Sequence, residues 1–289
     1  MKSGFVNIIG NPNAGKSTLM NALMGDKLSI TTHKAQTTRK RILGILNGDN
    51  YQMVFSDTPG LVNPHYKLHQ TMLDSIYASI EDADIFVLIS DRGEDFKNAD
   101  VVEKIKQTEI PLIVIINKID ISNQQEIQEK IDKFTKEFPQ ATVIPVSALH
   151  NFNIETLKNI LLEKLPEAEA YYPQDYISDR DVRFFVTEII REKILLHYEK
   201  EIPYSVEIVV EEYKETDNLD RIRAIIYVER DSQKSILIGK QGSALKRIGH
   251  DARIEIEKFV EKKVFLELFV KVMKDWRNND KVLKQFGYL

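Results

Sequence analysis

Gly10-Asn11-Pro12-Asn13-Ala14-Gly15-Lys16-Ser17 reads GxxxxGKS and follows the apolar run Phe5-Val6-Asn7-Ile8-Ile9. A strand that enters such a loop and leaves through a helix, here Thr18-Leu19-Met20-Asn21-Ala22-Leu23, makes a phosphate cradle. Backbone N–H groups turn inward, the positive end of the helix dipole faces the anion, and the lysine reaches the outer phosphates. The hydroxyl of Ser17 is placed for an inner-sphere position on Mg²⁺. A plain glycine turn before a helix would spell similar letters, so the assignment leans on three later segments.

Asp57-Thr58-Pro59-Gly60 ends a second apolar segment, Tyr51-Gln52-Met53-Val54-Phe55. A carboxylate there can hold Mg²⁺ through water, and the backbone N–H of the glycine can sense a γ-phosphate. The same four residues also make a good turn. Asn117-Lys118-Ile119-Asp120 closes the buried run Leu112 to Ile116. An aspartate in the fourth position accepts from guanine N1–H and the exocyclic amino group, whereas adenine would leave it unsatisfied. The Lys118 stem can lie over the base, and Asn117 can tie its loop to the phosphate cradle. Ser147-Ala148-Leu149 follows Val143-Ile144-Pro145-Val146 and offers a backbone N–H to guanine O6. Four such segments in order at strand ends specify a guanine nucleotide, GTP or GDP, with Mg²⁺.

At 289 residues the chain has room for two domains with separate cores. No apolar stretch approaches the roughly 20 residues that cross a bilayer. Met1-Lys2-Ser3-Gly4 runs straight into the first strand, which leaves no room for a secretory signal, so a cytoplasmic protein is expected. Zero cysteines exclude disulfides, thiolate zinc sites and iron–sulfur clusters. Net charge is −4 overall, with −5 in residues 1–176 and +1 in residues 177–289. Neither half is strongly basic, so any nucleic-acid contact must be local.

Strand-like runs near residues 5–9, 52–56, 84–89, 112–116 and 142–146 alternate with helical patterns or polar loops. That spacing predicts an α/β domain with a mostly parallel sheet flanked by helices, with an extra edge strand at Arg41 to Leu46. Its last helix runs from Ile154 to Leu165 and stops at Pro166. The first domain is therefore placed at 1–168, a linker at 169–178, and a second domain at 179–289. In the second, helical spacing covers Asp181 to Tyr198 and strand alternation covers Tyr204 to Glu212 and Ile222 to Glu229. A short segment Gln233 to Ile238, a glycine loop, a long helix Ser243 to Glu261 and a strand Val264 to Met273 complete an α-β-β-α-α-β order, an α+β domain.

Ile236-Leu237-Ile238-Gly239-Lys240-Gln241-Gly242 resembles the I-I-G-x-x-G of a KH domain, and the element order is that of its type II (prokaryotic) form. Two glycines three apart let a helix junction approach a sugar–phosphate backbone while bases lie in an apolar groove beside it. Ser232 to Gly249 contains Lys234, Lys240, Lys246 and Arg247 and no acid, a local positive patch on a nearly neutral domain. The tail, Trp276-Arg277-Asn278-Asn279-Asp280 to Phe286-Gly287-Tyr288, carries aromatics that either stack on RNA or pack the last helix onto the sheet.

Residues 1 to about 165 resemble a Ras-like P-loop GTPase domain, and Lys34-Ala35-Gln36-Thr37-Thr38-Arg39 narrows the resemblance to the Era family. In that family this phrase is the first switch, in which a threonine closes onto Mg²⁺. Thr37 and Thr38 are both candidates, with Thr38 preferred. The resemblance makes Lys16, Thr38, Gly60 and Asn13 the catalytic set and Ser17, Thr38 and Asp57 the metal-binding set. Leu61 stands where many GTPases carry a glutamine that orients water, and a leucine has neither donor nor acceptor. Slow intrinsic turnover follows. Asn13 resembles an asparagine that helps hold K⁺ in some relatives, and it also suits a loop position with an unusual backbone angle. The resemblance further implies binding of the 3′ end of 16S rRNA, maturation of the 30S subunit, a monomer, and a cytoplasmic location with peripheral association at the inner membrane. The alternative from another class is a membrane-associated regulatory GTPase whose KH domain docks protein or lipid.

Overall fold

Residues 1–289 are described by the computed structural model. The first unit contains β1 (Lys2–Gly10), α1 (Lys16–Met24), β2 (Ile42–Gly48), β3 (Tyr51–Asp57), α2 (Lys67–Glu81), β4 (Ile85–Asp91), α3 (Ala99–Lys106), β5 (Leu112–Asn117), α4 (Gln124–Glu137), β6 (Thr142–Pro145) and α5 (Ile154–Lys164). Six strands form one sheet in the order β2-β3-β1-β4-β5-β6. Only β2 runs antiparallel, against β3. The strand order reverses at β1, whose neighbours are β3 and β4. In an open α/β sheet a ligand crevice forms outside the carboxyl ends of the strands at such a switch point.

Helices cover the sheet because β4 and β5 are apolar on both faces, as parallel strands require. Leu73, Ile76 and Ile80 of α2, Val101 and Ile105 of α3 and Phe134 of α4 bury against Phe86, Leu88 and Val114. Each such side chain contributes roughly 1.5–3 kcal/mol of burial free energy. Helix α4 opens with a capping box between Asn123 and Glu126, and α5 stops at Leu165, the residue before Pro166.

The stretch expected as a linker is docked along β2 and β3. Ile45 N–H donates to Ile177 O at 2.9 Å, and Ser178 Oγ donates to Leu43 O at 2.7 Å. Gln52 Oε1 accepts from the backbone N–H groups of Tyr171 and Tyr172 at 2.8 and 3.0 Å. An unpaired sheet edge invites association with other chains, and this segment occupies the edge of β2. Accordingly the compact units are residues 1–65 with 69–179, and residues 66–68 with 180–289.

The second unit contains α6 (Val182–His197), α7 (Ile202–Ser205), β7 (Glu207–Lys214), β8 (Asp220–Val228), α8 (Asp231–Ile238), α9 (Ser243–Phe259), β9 (Val264–Val272) and α10 (Asp280–Gln285). Its sheet is ordered β7-β8-β9, with β7 antiparallel and β9 parallel to β8. Sequence alternation extended the first of these strands back to Tyr204. Instead Ile202–Ser205 makes one helical turn, because Pro203 suits a first helical turn and lacks the N–H a strand needs. Ile190, Ile194, Ile226, Ile248 and Ile256 form the centre of this core. No helix is long and apolar enough to cross a membrane.

Candidate functional site

The carboxyl ends of β1, β3 and β5 deliver the predicted motifs to one edge of the first unit. A cleft of about 390 Å³ opens there, lined by Pro12, Asn13, Gly15, Lys16, Ser17, Thr18, Gly60 and Lys118 among others. Gly15 has φ of 100°, and a Cβ on it would collide with the carboxamide of Asn117. Glycine is needed at that position for both reasons. Asn13 is left-handed, with φ of 64°, and lines the cleft. Gly60 lies so near Pro12 that an added Cβ would stand 2.8 Å from its Cα, so the β3 loop and the phosphate loop touch backbone to backbone.

Lys16 is buried and donates to the carbonyls of Gly10 and Asn11 at 3.1 and 2.9 Å. Burial lowers its pKa to about 8, partly offset by Asp57. Asp57 is fully buried; desolvation pushes its carboxyl up, opposed by hydrogen bonds from Ser17 and Thr38 and by the charge of Lys16. Ser17 Oγ donates to Asp57 Oδ2 at 2.7 Å, Thr38 Oγ1 donates to the same oxygen at 3.1 Å, and the two hydroxyls are 2.9 Å apart. The other carboxylate oxygen, Oδ1, is buried without a hydrogen-bond partner. Two hydroxyls on one oxygen of a buried carboxylate whose other oxygen has no partner make a set of hard oxygen donors that fits a small divalent cation such as Mg²⁺. Thr37 turns the other way, into its own loop, where its hydroxyl donates to Lys34 O and meets Thr32 Oγ1, both at 2.7 Å.

Next to Lys118, and like Asp120 and Ser147 outside the cleft lining, Asn117 Nδ2 donates to Ala14 O at 2.8 Å, and its Oδ1 accepts from Ala148 N–H at 3.0 Å. One buried carboxamide thus fastens the β5 loop to both the phosphate loop and the β6 loop. Asp120 Oδ1 accepts from Ser147 Oγ at 2.6 Å, and that hydrogen bond is the main cause of a lowered carboxyl pKa. The group is therefore an ionised acceptor at neutral pH, the form that two guanine donors require. Lys118 is left-handed and its Nζ meets Asp91 Oδ2 at 2.8 Å.

Several expected contacts face elsewhere. Leu61 is wholly buried in the core beside Ile9 and Leu73, although its N–H donates to Gly10 O at 3.0 Å. Asn11 is buried, with its side chain on Asp95 O and Lys97 N. Thr58 Oγ1 donates to Ile8 O, and Leu149 is exposed to solvent. Pro59 is buried and Ile119 half-buried, outside the cleft lining. Conversely Asp91 and residues 31–33 line the cleft without having been expected there, and Lys34 and Gln36 of the switch phrase join Thr38 in lining it. Asp91 had a signal, a carboxylate ending the apolar run of β4; the stretch 31–33 had none beyond its polarity.

In the second unit Gly239, Gln241 and Gly242 all have positive φ, of 71°, 51° and 76°. A Cβ on Gly239 would stand 2.6 Å from that of Ala244, whereas one on Gly242 would meet nothing within 4 Å. Gly242 is also the N-cap of α9, so the free N–H groups of that helix face the loop. Lys240, Gln241, Lys246 and Arg247 are exposed, Lys234 is half-buried, and Ile236 beside them is 54% exposed. The tail aromatics pack inward: Trp276 is fully buried, donates Nε1–H to Ser205 O at 3.0 Å and lies edge-on to Phe286. Of the two roles open to them from sequence, Trp276 and Phe286 take the packing one.

Residues 5–118 match the family model of a 50S ribosome-binding GTPase, and residues 201–277 match that of a KH domain. GTPase Era of Syntrophus aciditrophicus (strain SB) is 45% identical over 99% of this chain and 95% of its own length. GTPase Era of Clostridium perfringens (strain 13 / Type A) is 43% identical over 99% of this chain and 98% of its own. A crystal structure of Era in complex with MgGDPNP and nucleotides 1506–1542 of 16S ribosomal RNA superposes with a TM-score of 0.94 at 40% identity, covering 100% of this chain and 99% of that one. An Aquifex aeolicus Era variant bound to GDP·AlF₄⁻ superposes with a TM-score of 0.93 at 40% identity, again over 100% and 99% of the two chains.

Proposed function

The chain belongs to the Era family of GTPases, and from that membership we propose that it is a GTP-switched factor that binds the 3′ end of 16S rRNA through its KH unit and promotes maturation of the 30S subunit. The observation that carries this proposal is the presence in one chain of a cleft built on the Gly10–Ser17 loop and a glycine loop with a basic flank. Lys16 binds the outer phosphates, the Gly60 N–H senses the γ-phosphate, Asp120 reads guanine, and the Leu149 N–H faces O6, that of Ala148 being held by Asn117. Ser17, Thr38 and Asp57 hold Mg²⁺. That cation, when bound, neutralises charge that develops on the phosphate oxygens. The protein's own part is to hold the triphosphate in line for a water and keep the site ordered, with no side chain at Leu61 able to orient that water.

Asn13 lines the cleft from a left-handed position, which suits a carbonyl-like ligand to K⁺ as well as a turn. Faster hydrolysis in KCl than in matched NaCl, with the difference abolished in Asn13→Ala, is the expected outcome. Equal rates leave Asn13 as a turn residue. The RNA contacts fall to Gly239, Lys240, Gln241 and Gly242, with Lys234, Lys246 and Arg247 supplying charge to phosphates. We place this factor in the cytoplasm as a monomer. Sequencing of RNA crosslinked to the protein in cells tests the whole proposal: enrichment of the 3′ end of small-subunit rRNA is expected. Recovery of membrane lipid or membrane protein with no such RNA would favour a membrane-docked regulator instead.

A further inference from the structure

His69 lies in the first turn of α2 and is only 5% exposed, yet nothing in nucleotide binding uses it. Its Nδ1 accepts from the backbone N–H of His65 at 3.4 Å, and its Nε2 lies 2.8 Å from the side-chain nitrogen of Gln36. His65 is in the loop that follows Gly60. Gln36 lines the cleft in a left-handed conformation two residues before Thr38. One imidazole therefore stands between the two segments that flank the γ-phosphate position.

We propose that His69 is a positioning residue that ties the Gly60–His65 loop to Gln36, so that closure of that loop sets the Thr38 hydroxyl beside Ser17 and Asp57; this rests on the nucleotide reading of the cleft given above. A neutral imidazole has one donor and one acceptor nitrogen. The His65 N–H can only donate, so Nδ1 accepts and the ring proton sits on Nε2; the Gln36 amide then accepts with its oxygen after a half-turn that exchanges its oxygen with the nitrogen now facing the ring. With both nitrogens engaged the ring orientation is fixed, and moving either segment by about an ångström breaks its hydrogen bond. An aliphatic side chain would fill the position with no polar group to satisfy, whereas a buried imidazole is costly unless bonded. The cradle and base contacts do not pass through this ring, so GDP, which lacks a γ-phosphate, is held independently of it.

The experiment compares wild type with His69→Ala, Gln36→Ala, the double variant and His69→Gln, which keeps one donor and one acceptor. GDP affinity and melting temperature are measured beside single-turnover GTP hydrolysis, with hydrogen exchange in GDPNP. Each single variant is expected to lower turnover about tenfold, the value of one hydrogen bond, with GDP affinity within about twofold of wild type. The double variant should fall no further than the worse single, because both remove the same tie, and His69→Gln should recover part of the rate. In GDPNP the amides of residues 31–38 should lose protection in His69→Ala while those of residues 10–17 keep it. Turnover at the wild-type rate, losses that multiply in the double, or GDP affinity and melting temperature falling in step with turnover would each overturn the tie. Absence of GDPNP protection over residues 10–17 in wild type would instead defeat the nucleotide reading itself.

Discussion

Two glycine loops of this chain sit at opposite extremes of constraint. The loop from Gly10 to Ser17 is gripped on all sides: Asn117 holds Ala14, Lys16 folds over Gly10 and Asn11, and Pro12 abuts Gly60. The loop from Gly239 to Gly242 is held by a short approach to Ala244 and by its own left-handed backbone, with its basic neighbours in solvent. A small triphosphate is recognised by a cavity whose donors are fixed in advance, and fixed donors cost no reorganisation on binding. A nucleic-acid strand arrives from outside and needs an open surface with local charge. The comparison teaches that substitutions in the first loop should act sharply and on one ligand, and those in the second should act in graded, salt-dependent steps.

The largest effect is expected from Lys16→Ala. It removes a buried cation from the phosphate path, and charge-assisted hydrogen bonds of this kind contribute about 2–3 kcal/mol. Isothermal titration should show GTP affinity reduced roughly a hundredfold with the fold intact by circular dichroism. Undiminished GTP binding would break the contrast on its tighter side. Asp120→Asn should exchange rather than abolish function. The Ser147 hydroxyl can turn its proton away and accept from the new amide, so the loop survives. The amide donates toward the carbonyl oxygen of xanthine where the carboxylate had accepted from guanine. Competition should then favour XTP over GTP, by about 10²-fold relative to wild type; unchanged selectivity would remove Asp120 from base reading.

How much of this was legible in the sequence follows from where each constraint originates. The phosphate loop, Asp57 and the Asn117–Asp120 segment are strand-to-loop junctions, so their letters and their geometry have the same local cause. No local pattern separates Thr37 from Thr38; in the structure Thr37 spends its hydroxyl on Lys34 O while Thr38 donates to Asp57. What local pattern could not give was tertiary. Residues 169–178 look like a linker because Pro173 and the polar residues forbid a regular element, yet their backbone pairs with β2. Alternation through Tyr204 and Ser205 suggested a strand, and Pro203 overrode it. The burial of Trp276 depends on a carbonyl 71 positions away in sequence, which no local window contains.

Within the second loop the two glycines should part company. Gly239→Ala meets Ala244 at 2.6 Å and should destabilise the KH unit, by about 1–3 kcal/mol, before any RNA is added. Gly242→Asp meets open space, so its fold should tolerate it apart from backbone strain of about 1 kcal/mol. Its carboxylate, however, faces a region otherwise free of acids and would oppose a phosphate. RNA affinity should fall by roughly 2 kcal/mol while GTP turnover without RNA stays at the wild-type rate. Thermal unfolding and RNA titration on the same two variants separate the effects; a Gly242→Asp protein that is folded and binds the rRNA 3′ end as tightly as wild type would make the loop a mere helix connector.

The smallest effect is expected from Lys240→Ala, and it is the sharpest probe of what graded recognition means. Lys240 is exposed between the two glycines. No ion pair fixes it among the salt bridges of this unit, and removing an exposed lysine leaves no unsatisfied buried group. Its whole contribution should therefore be electrostatic: about one phosphate neutralised and one counterion released. For single-stranded RNA that lowers the slope of log affinity against log salt by about 0.7. Affinity at low salt should drop severalfold, and the difference from wild type should shrink as salt rises. Titrations of an RNA bearing the small-subunit 3′ end at several KCl concentrations measure both quantities at once. A loss of affinity that stays constant across salt would show that Lys240 makes a base or backbone contact of fixed geometry, and the loop would then be closer in kind to the phosphate cradle than its exposure suggests.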